Sequence, residues 1–333
     1  MEILNENTIT SHGNKKGRKD TLKVIKTAIE SVNSYKATKK KVRIENKILK
    51  IGNFTYNLEE IKNIYVIGAG KATFSIAKAL NEILGNKITE GHIITKDREE
   101  DSLKNISVTT GGHPIPSKNS LKNTREIKKI AKKAKDNDLV LCAITGGASA
   151  LMTSTVSKIE LNHIRKINKL LLNSGAPIED INTVRKHLSD IKGGKLAELI
   201  QPAKMANLIV IDEIAGDPWG PTVPDHTTFE DAINVLKKHN LWEKTPKIVK
   251  EHLKQGKTNK SLETPNENNF KDYNINNVIL SDITIACESA KKKAKELGYN
   301  TMLLTSKLKG ESREAGIFLA SIAKEIKEKE NPL

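Results

Sequence analysis

Ile64-Tyr-Val-Ile-Gly-Ala-Gly-Lys-Ala72 decides the fold. Four consecutive apolar residues read as a strand buried on both faces, and the glycines that follow read as a tight turn. Beyond Ala72, apolar residues recur at helical spacing to Leu84. Working outward, the same order returns: His92–Thr95, then Leu139–Ile144 running into Gly146-Gly147, then Leu208–Ile211 running into a loop with Gly216 and Gly220. Val278–Leu280 and Met302–Leu304 repeat it near the end. Apolar strands alternating with amphipathic helices predict an α/β fold, a Rossmann-like parallel sheet sandwiched by helices. The last repeats predict the beginning of a second, smaller α/β domain. In such sheets ligands bind beyond the carboxyl ends of the strands, where these glycine turns fall.

The polar stretch 1–19 reads as a disordered leader, 20–255 as the main domain, and 256–276 as a linker without periodicity. Residues 277–333 read as strand, helix, strand, helix, an incomplete βαβα unit. Lys36–Lys50 carries seven basic residues broken by Val42, Ile44 and Ile48, and reads as an exposed hairpin whose edge is guarded by lysines.

Composition narrows the class. The 333 residues hold two cysteines, Cys142 and Cys287, too far apart in sequence for a CxxC metal or redox motif. No apolar run is long enough to cross a bilayer, and the N-terminus shows no apolar signal region, so a cytoplasmic protein without membrane contact is expected. The net charge of +16 invites a nucleic-acid partner. Only seven of the 56 basic residues are Arg, and aromatic residues make up 4%, so base readers and stacking platforms are scarce. A field attracting anionic small molecules is compatible with the same charge.

Several short segments carry candidate chemistry. Gly68, Gly70 and Lys71 lie where a strand enters a helix, an arrangement able to hold an anion, though neither P-loop nor dinucleotide spacing is met. Thr145-Gly146-Gly147-Ala148-Ser149 is a second such turn. From Ile181 onward, Asn182, Arg185, Ser189 and Lys192 form a polar stripe beside the apolar stripe Ile181, Val184, Leu188 and Ile191, which predicts one continuous helix. Arg185 has the fork geometry for a carboxylate or phosphate. His113, in a loop with Pro114 and Pro116, is a candidate acid, base or oxyanion donor, whereas His187 reads as structural. Asp212, Glu213 and Asp217 offer hard oxygen ligands for Mg²⁺. Thr222 lies in a Gly-Pro-Thr turn, and Thr228 with Asp231 and Thr227 with Glu230 read as helix caps.

The ordered blocks GAGKA at 68–72, GHPIP at 112–116, TGGASAL at 145–151, INTVRKHLSDIKGGKLA at 181–197 and GPTVPDHTTFEDA at 220–232 resemble the glycerate 2-kinases of the MOFRL-associated type, some of which are labelled hydroxypyruvate reductase. The resemblance covers about residues 20–330. It implies ATP-dependent, Mg²⁺-assisted phosphorylation of D-glycerate at the 2-hydroxyl in a cleft between a large and a small domain. It implies Lys71 as the essential lysine, Arg185 with Gly146 and Gly147 as anion-holding elements, and Glu213 and Asp217 on the metal side. It also points to Asn182, Ser149, His113 and Thr222 as substrate or phosphate contacts.

The sequence departs from the family at Ser117, where Asp is common, at Ala148, where a third Gly is frequent, and at Asp212-Glu213. The loop between Asp217 and Gly220 is also shorter than the family's. The family's terminal module, with its Ser-Gly-Gly-Glu-Thr and Gly-Gly-Arg-Asn-Gln-Glu blocks, has no match here. A companion chain, a fragment or a decaying gene would each account for that. Two rivals follow: hydride transfer on hydroxypyruvate, for which GAGKAT is an imperfect fingerprint, and a non-catalytic ligand-binding remnant. The expectation is little or no kinase activity from this chain alone; robust turnover of ATP and glycerate by the purified chain would contradict it.

Overall fold

A computed structural model describes residues 3–211, 219–308 and 310–328. Two helices, α1 (Glu6–Thr10) and α2 (Lys15–Ser31), precede α3 (Ser34–Lys41) and an antiparallel meander of β1 (Val42–Glu45), β2 (Ile48–Ile51) and β3 (Phe54–Asn57). The main body alternates β4 (Ile64–Ala69), α4 (Thr73–Leu84), β5 (Ile88–Thr95), β6 (Ile106–Thr110), α5 (Lys118–Lys133) and β7 (Leu139–Ile144). A helical stretch follows, with α6 (Ala148–Leu151), α7 (Leu161–Asn173), α8 (Ile178–His187) and α9 (Lys195–Ile200), and leads into β8 (Lys204–Val210). The chain continues through α10 (Phe229–Lys238), α11 (Lys247–Thr258), α12 (Glu267–Phe270), β9 (Ile275–Ser281), α13 (Ile283–Glu296) and α14 (Ser312–Glu328).

Six strands form one parallel sheet in the order β6-β5-β4-β7-β8-β9, as the alternating pattern predicts. β4 and β7 are buried along their whole length, so their side chains serve two cores. One core joins α3, α4 and the meander through Leu80, Ile76, Leu49 and Ile51. The opposite face packs α5 and α9 through Ile127, Leu196 and Ile200. A third core, built around Val184, Leu188, Phe229 and Leu253, unites α7, α8, α10 and α11. Among the described residues no helix is long and apolar enough to cross a membrane.

Three sequence expectations are corrected. The leader is helical: Asn14 caps α2 by accepting from the Gly17 amide at 2.8 Å, and Asp20 accepts from the Tyr299 hydroxyl at 3.0 Å, tying α2 to the segment after α13. Its polarity is that of a solvated helix face. Second, Val278 does not open a separate domain. It belongs to β9, which pairs in parallel with β8 and buries Val278 and Leu280 in the first core. The end of α3 and the meander grip this strand: Lys41 Nζ donates to Ile279 O, and Asn276 Nδ2 donates to the Tyr56 hydroxyl at 2.9 Å. Met302–Leu304 forms no strand, and Met302 is 71% exposed. Third, the stretch 256–276 is a strap against the body, because Glu263 accepts from the Phe229 amide at 3.1 Å and pairs with His187.

Gly68 and Gly70 are explained by this packing. A Cβ on Gly68 would lie 2.1 Å from Ala143 O, and one on Gly70, whose φ is +143°, 2.0 Å from Thr145 Oγ1. Gly68→Ala is therefore expected to lower stability by about 1–3 kcal/mol through overpacking. Urea unfolding of the purified variant checks this; an unchanged midpoint would contradict it.

Candidate functional site

The sheet order reverses between β4 and β7. β4 connects through α4 to β5 on one side, while β7 leads on to β8 on the other, so a crevice opens at their carboxyl ends. The turns leaving these strands interlock. Lys71 N donates to Gly146 O at 2.9 Å, and Ala72 N donates to Thr145 Oγ1 at 3.1 Å. The amides that the sequence offered to an anion at 71 and 72 are thus already satisfied. Those of Gly146 and Gly147 have no acceptor among the described residues.

The Lys71 side chain is exposed, and its stem runs over Gly147. A Cβ on Gly147 would lie 3.4 Å from Lys71 Cε and 3.2 Å from His113 Nε2. Gly147 also has φ +90°, so glycine is needed there for space and for conformation. Three loops separated in sequence therefore meet: Lys71, Gly146-Gly147 and His113. The His113 loop is held from below, where Gly112 N donates to Ser120 Oγ at 3.0 Å. Ser117 caps α5 by accepting from Ser120 N at 3.2 Å, so a Ser in the family's Asp position does the capping work of Asp.

Next to this cluster lies a cavity of about 430 Å³, counting the part open to solvent, lined by Pro114, Ser149, Asn168, Arg185, Ser189 and Lys192 among others. The expected continuous helix through Ile191 is corrected: α8 stops at His187. Ser189 ends it, accepting from the amides of Ile191 at 3.3 Å and Lys192 at 3.4 Å while donating to Ser154 O at 2.8 Å. Arg185, Ser189 and Lys192 still face one space, because the turn folds back along the path the helix would have taken. Arg185 Nε donates to Asn168 Oδ1 at 2.8 Å. Lys192 Nζ donates to Ser149 O at 2.5 Å and Met152 O at 3.2 Å.

Other expected site residues lie elsewhere. Asn182 is not among the cavity's lining. Thr222 is fully buried, its Oγ1 unpaired and its carbonyl accepting from Asn207 Nδ2 at 3.4 Å. Glu213 and Asp217 lie outside the described residues, and among the described residues no three His, Cys, Asp or Glu side chains converge as a metal site. His187 is structural: Nδ1 bonds Thr183 O at 2.7 Å and Nε2 bonds Glu263 Oε1 at 2.9 Å. Asn168 was missed. Its signal is a polar residue between Ile164, Ile167 and Leu171 on the apolar face of α7, a place where an amide needs a partner.

Burial first, and Arg185 second, pull the Lys192 ammonium down to about 7 from the ordinary 10.5. Between these values the unfolded chain binds more protons than the folded one, so this group makes stability rise with pH from about 7 to 10.5. Lys192→Met is expected to show a shallower rise than the parent across that window. Urea unfolding at pH 7, 8, 9 and 10 measures it, and parallel slopes would refute it.

A family model described as a domain of unknown function, DUF4147, matches residues 20–254. The glycerate 2-kinase of Pyrococcus horikoshii is 36% identical over 317 residues, which cover 93% of this chain and 70% of that protein. The D-glycerate 2-kinase of Thermotoga maritima is 35% identical over 322 residues, covering 95% and 70%. The solved structure of a Thermotoga maritima glycerate kinase superposes with a TM-score of 0.76 at 35% identity, covering 95% of this chain and 71% of that one. The chain therefore belongs to the DUF4147 family and is a relative of its glycerate 2-kinases.

Proposed function

We propose that this chain transfers the γ-phosphoryl group of ATP to the 2-hydroxyl of D-glycerate. The observation that carries the reading is the meeting of Lys71, Gly147 and His113 at the point where the sheet order reverses, in a chain whose relatives bear the glycerate 2-kinase name. In the reaction the glycerate oxygen forms a bond to the γ-phosphorus, the bond from that phosphorus to the bridging oxygen breaks, and ADP leaves. The hydroxyl proton passes to a base, a role we give to the His113 imidazole, which like the Lys71 stem lies against Gly147. The Lys71 ammonium offsets the charge spread over the transferring oxygens, and the open amides of Gly146 and Gly147 bind phosphate oxygens.

Mg²⁺ would accompany the nucleotide. The residues assigned to it, Glu213 and Asp217, are outside the described part, and the described residues supply no cluster for it. No step is routed through the metal.

The assay measures ADP release with D-glycerate, using the chain alone and the chain mixed with the part of the Thermotoga maritima relative that it does not span. This second arm tests for the companion chain. ADP release should require glycerate, and Lys71→Ala should reduce kcat by about 10²-fold or more, the scale of losing one transition-state charge partner. NADH-dependent reduction of hydroxypyruvate without ATP consumption would overturn the reading in favour of a reductase.

A further inference from the structure

We infer that Arg185 and Lys192 form a carboxylate clamp, the subsite that selects a short hydroxy acid as the phosphoryl acceptor; this rests on the kinase reading for the identity of the acid. Among the described residues, the cavity they share is lined by two cationic groups and no acidic one. Each cation is held by neutral groups and keeps donors in reserve. Arg185 spends only Nε, on Asn168 Oδ1, and its two terminal nitrogens have no acceptor among the described residues. Lys192 spends two of its three donors on Ser149 O and Met152 O. Two like charges close together away from bulk water, without a counter-ion, are costly unless an anion joins them. Burial lowers the proton affinity of both groups, as expected where that anion is not bound.

Position and shape favour the acceptor's carboxylate over a nucleotide phosphate. Besides hydroxyls and one amide, the walls beside the two cations present apolar surface from Ile164, Ile167, Leu188, Pro114 and Pro116. They suit a compact acid better than a hydrated polyphosphate. Ser149 lies two residues after Gly147, and Pro114 follows His113, so the cavity adjoins the Lys71 cluster. An acid anchored by its carboxylate between Arg185 and Lys192 would direct its 2-hydroxyl towards that cluster. Asn168 acts as a positioning residue, fixing the guanidinium plane through Nε so that the terminal nitrogens present a fork.

The test is isothermal titration of the full chain with D-glycerate, with glycerol as the analogue lacking the carboxylate, and with ATP. D-glycerate should bind and glycerol should not. Arg185→Gln should weaken glycerate binding about 10–100-fold, the loss of a charge-assisted hydrogen-bond pair, while ATP binding changes less than about 2-fold. Arg185→Lys keeps the charge but not the fork, and should fall between parent and Gln variant. Because Lys192 also ties down α6, thermal unfolding of Lys192→Met is recorded first, and Arg185→Lys carries the conclusion if that variant is unfolded. Absence of glycerate binding by the parent, equal binding by Arg185→Gln, or loss of ATP binding in its place would overturn the clamp. Binding of glycerate through Arg185 without any phosphoryl transfer would instead leave the clamp standing and sink the kinase reading.

Discussion

The close approach of β4 to β7 is the constraint on which the rest depends. Ladder hydrogen bonds fix the spacing of the two strands, but the turns beyond them interlock only because Gly68 and Gly70 carry no side chain. Lys71 is then placed by its own backbone, through the bond from its amide to Gly146 O. Among the described residues no side chain anchors its ammonium, and its stem lies against Gly147. The glycines that look like a phosphate loop in sequence are here the means by which one loop is fitted into another. The open turn lies instead at Gly147, whose conformation and neighbours both require glycine.

The other half of the crevice is organised from further away. α8, which carries Arg185, is held by contacts that come from later parts of the chain. Phe229 meets the His187 ring edge-on at 4.7 Å and the His252 ring at 5.4 Å, and Glu263 pairs with His187. Lys186 reaches the buried Asp225 at 2.6 Å. Gly256 lets α11 close over this cluster, since a Cβ there would fall 2.3 Å from the Phe229 ring. The stretch from 220 to 270 supplies little of the cavity wall, yet it decides where Arg185 stands. A buried network of this kind fixes one geometry, and damage to it would change affinity without touching a ligand.

Much of this was legible in the residues and some was not, for identifiable reasons. Continuous apolar strands with glycine turns gave the parallel sheet, because a strand buried on both faces must be apolar throughout. The Thr228–Asp231 cap was legible for the same local reason, and the structure has it as a reciprocal box. Thr227 was misassigned: it bonds Asp225 Oδ1 rather than Glu230, a partner set by the fold around Asp225. The end of α8 was hidden because Leu188 and Ile191 continue the apolar stripe in a turn that Ser189 stabilises. β9 was legible as a strand, but its place beside β8 in the main sheet was hidden, because that edge is also held by the meander some 220 residues earlier. Periodicity reports which face is buried; it does not report which neighbour does the burying.

Charge makes the same point most sharply. The +16 of the whole chain is an excess of surface lysines over acids; even those that pair, such as Lys78 with Asp101 and Lys133 with Glu90, contribute little individually and say nothing about a ligand. Within eight positions the sequence Arg185-Lys186-His-Leu-Ser-Asp-Ile-Lys192 places three cations with two fates. Lys186 turns to Asp225 and is neutralised inside the fold. Arg185 and Lys192 turn to a cavity whose lining among the described residues has amides, hydroxyls and carbonyls but no carboxylate. With only neutral partners among the described residues, the clamp reading leaves the compensating charge to come from solution, and it is this local imbalance, far more than the basic surface, that would draw an anion there.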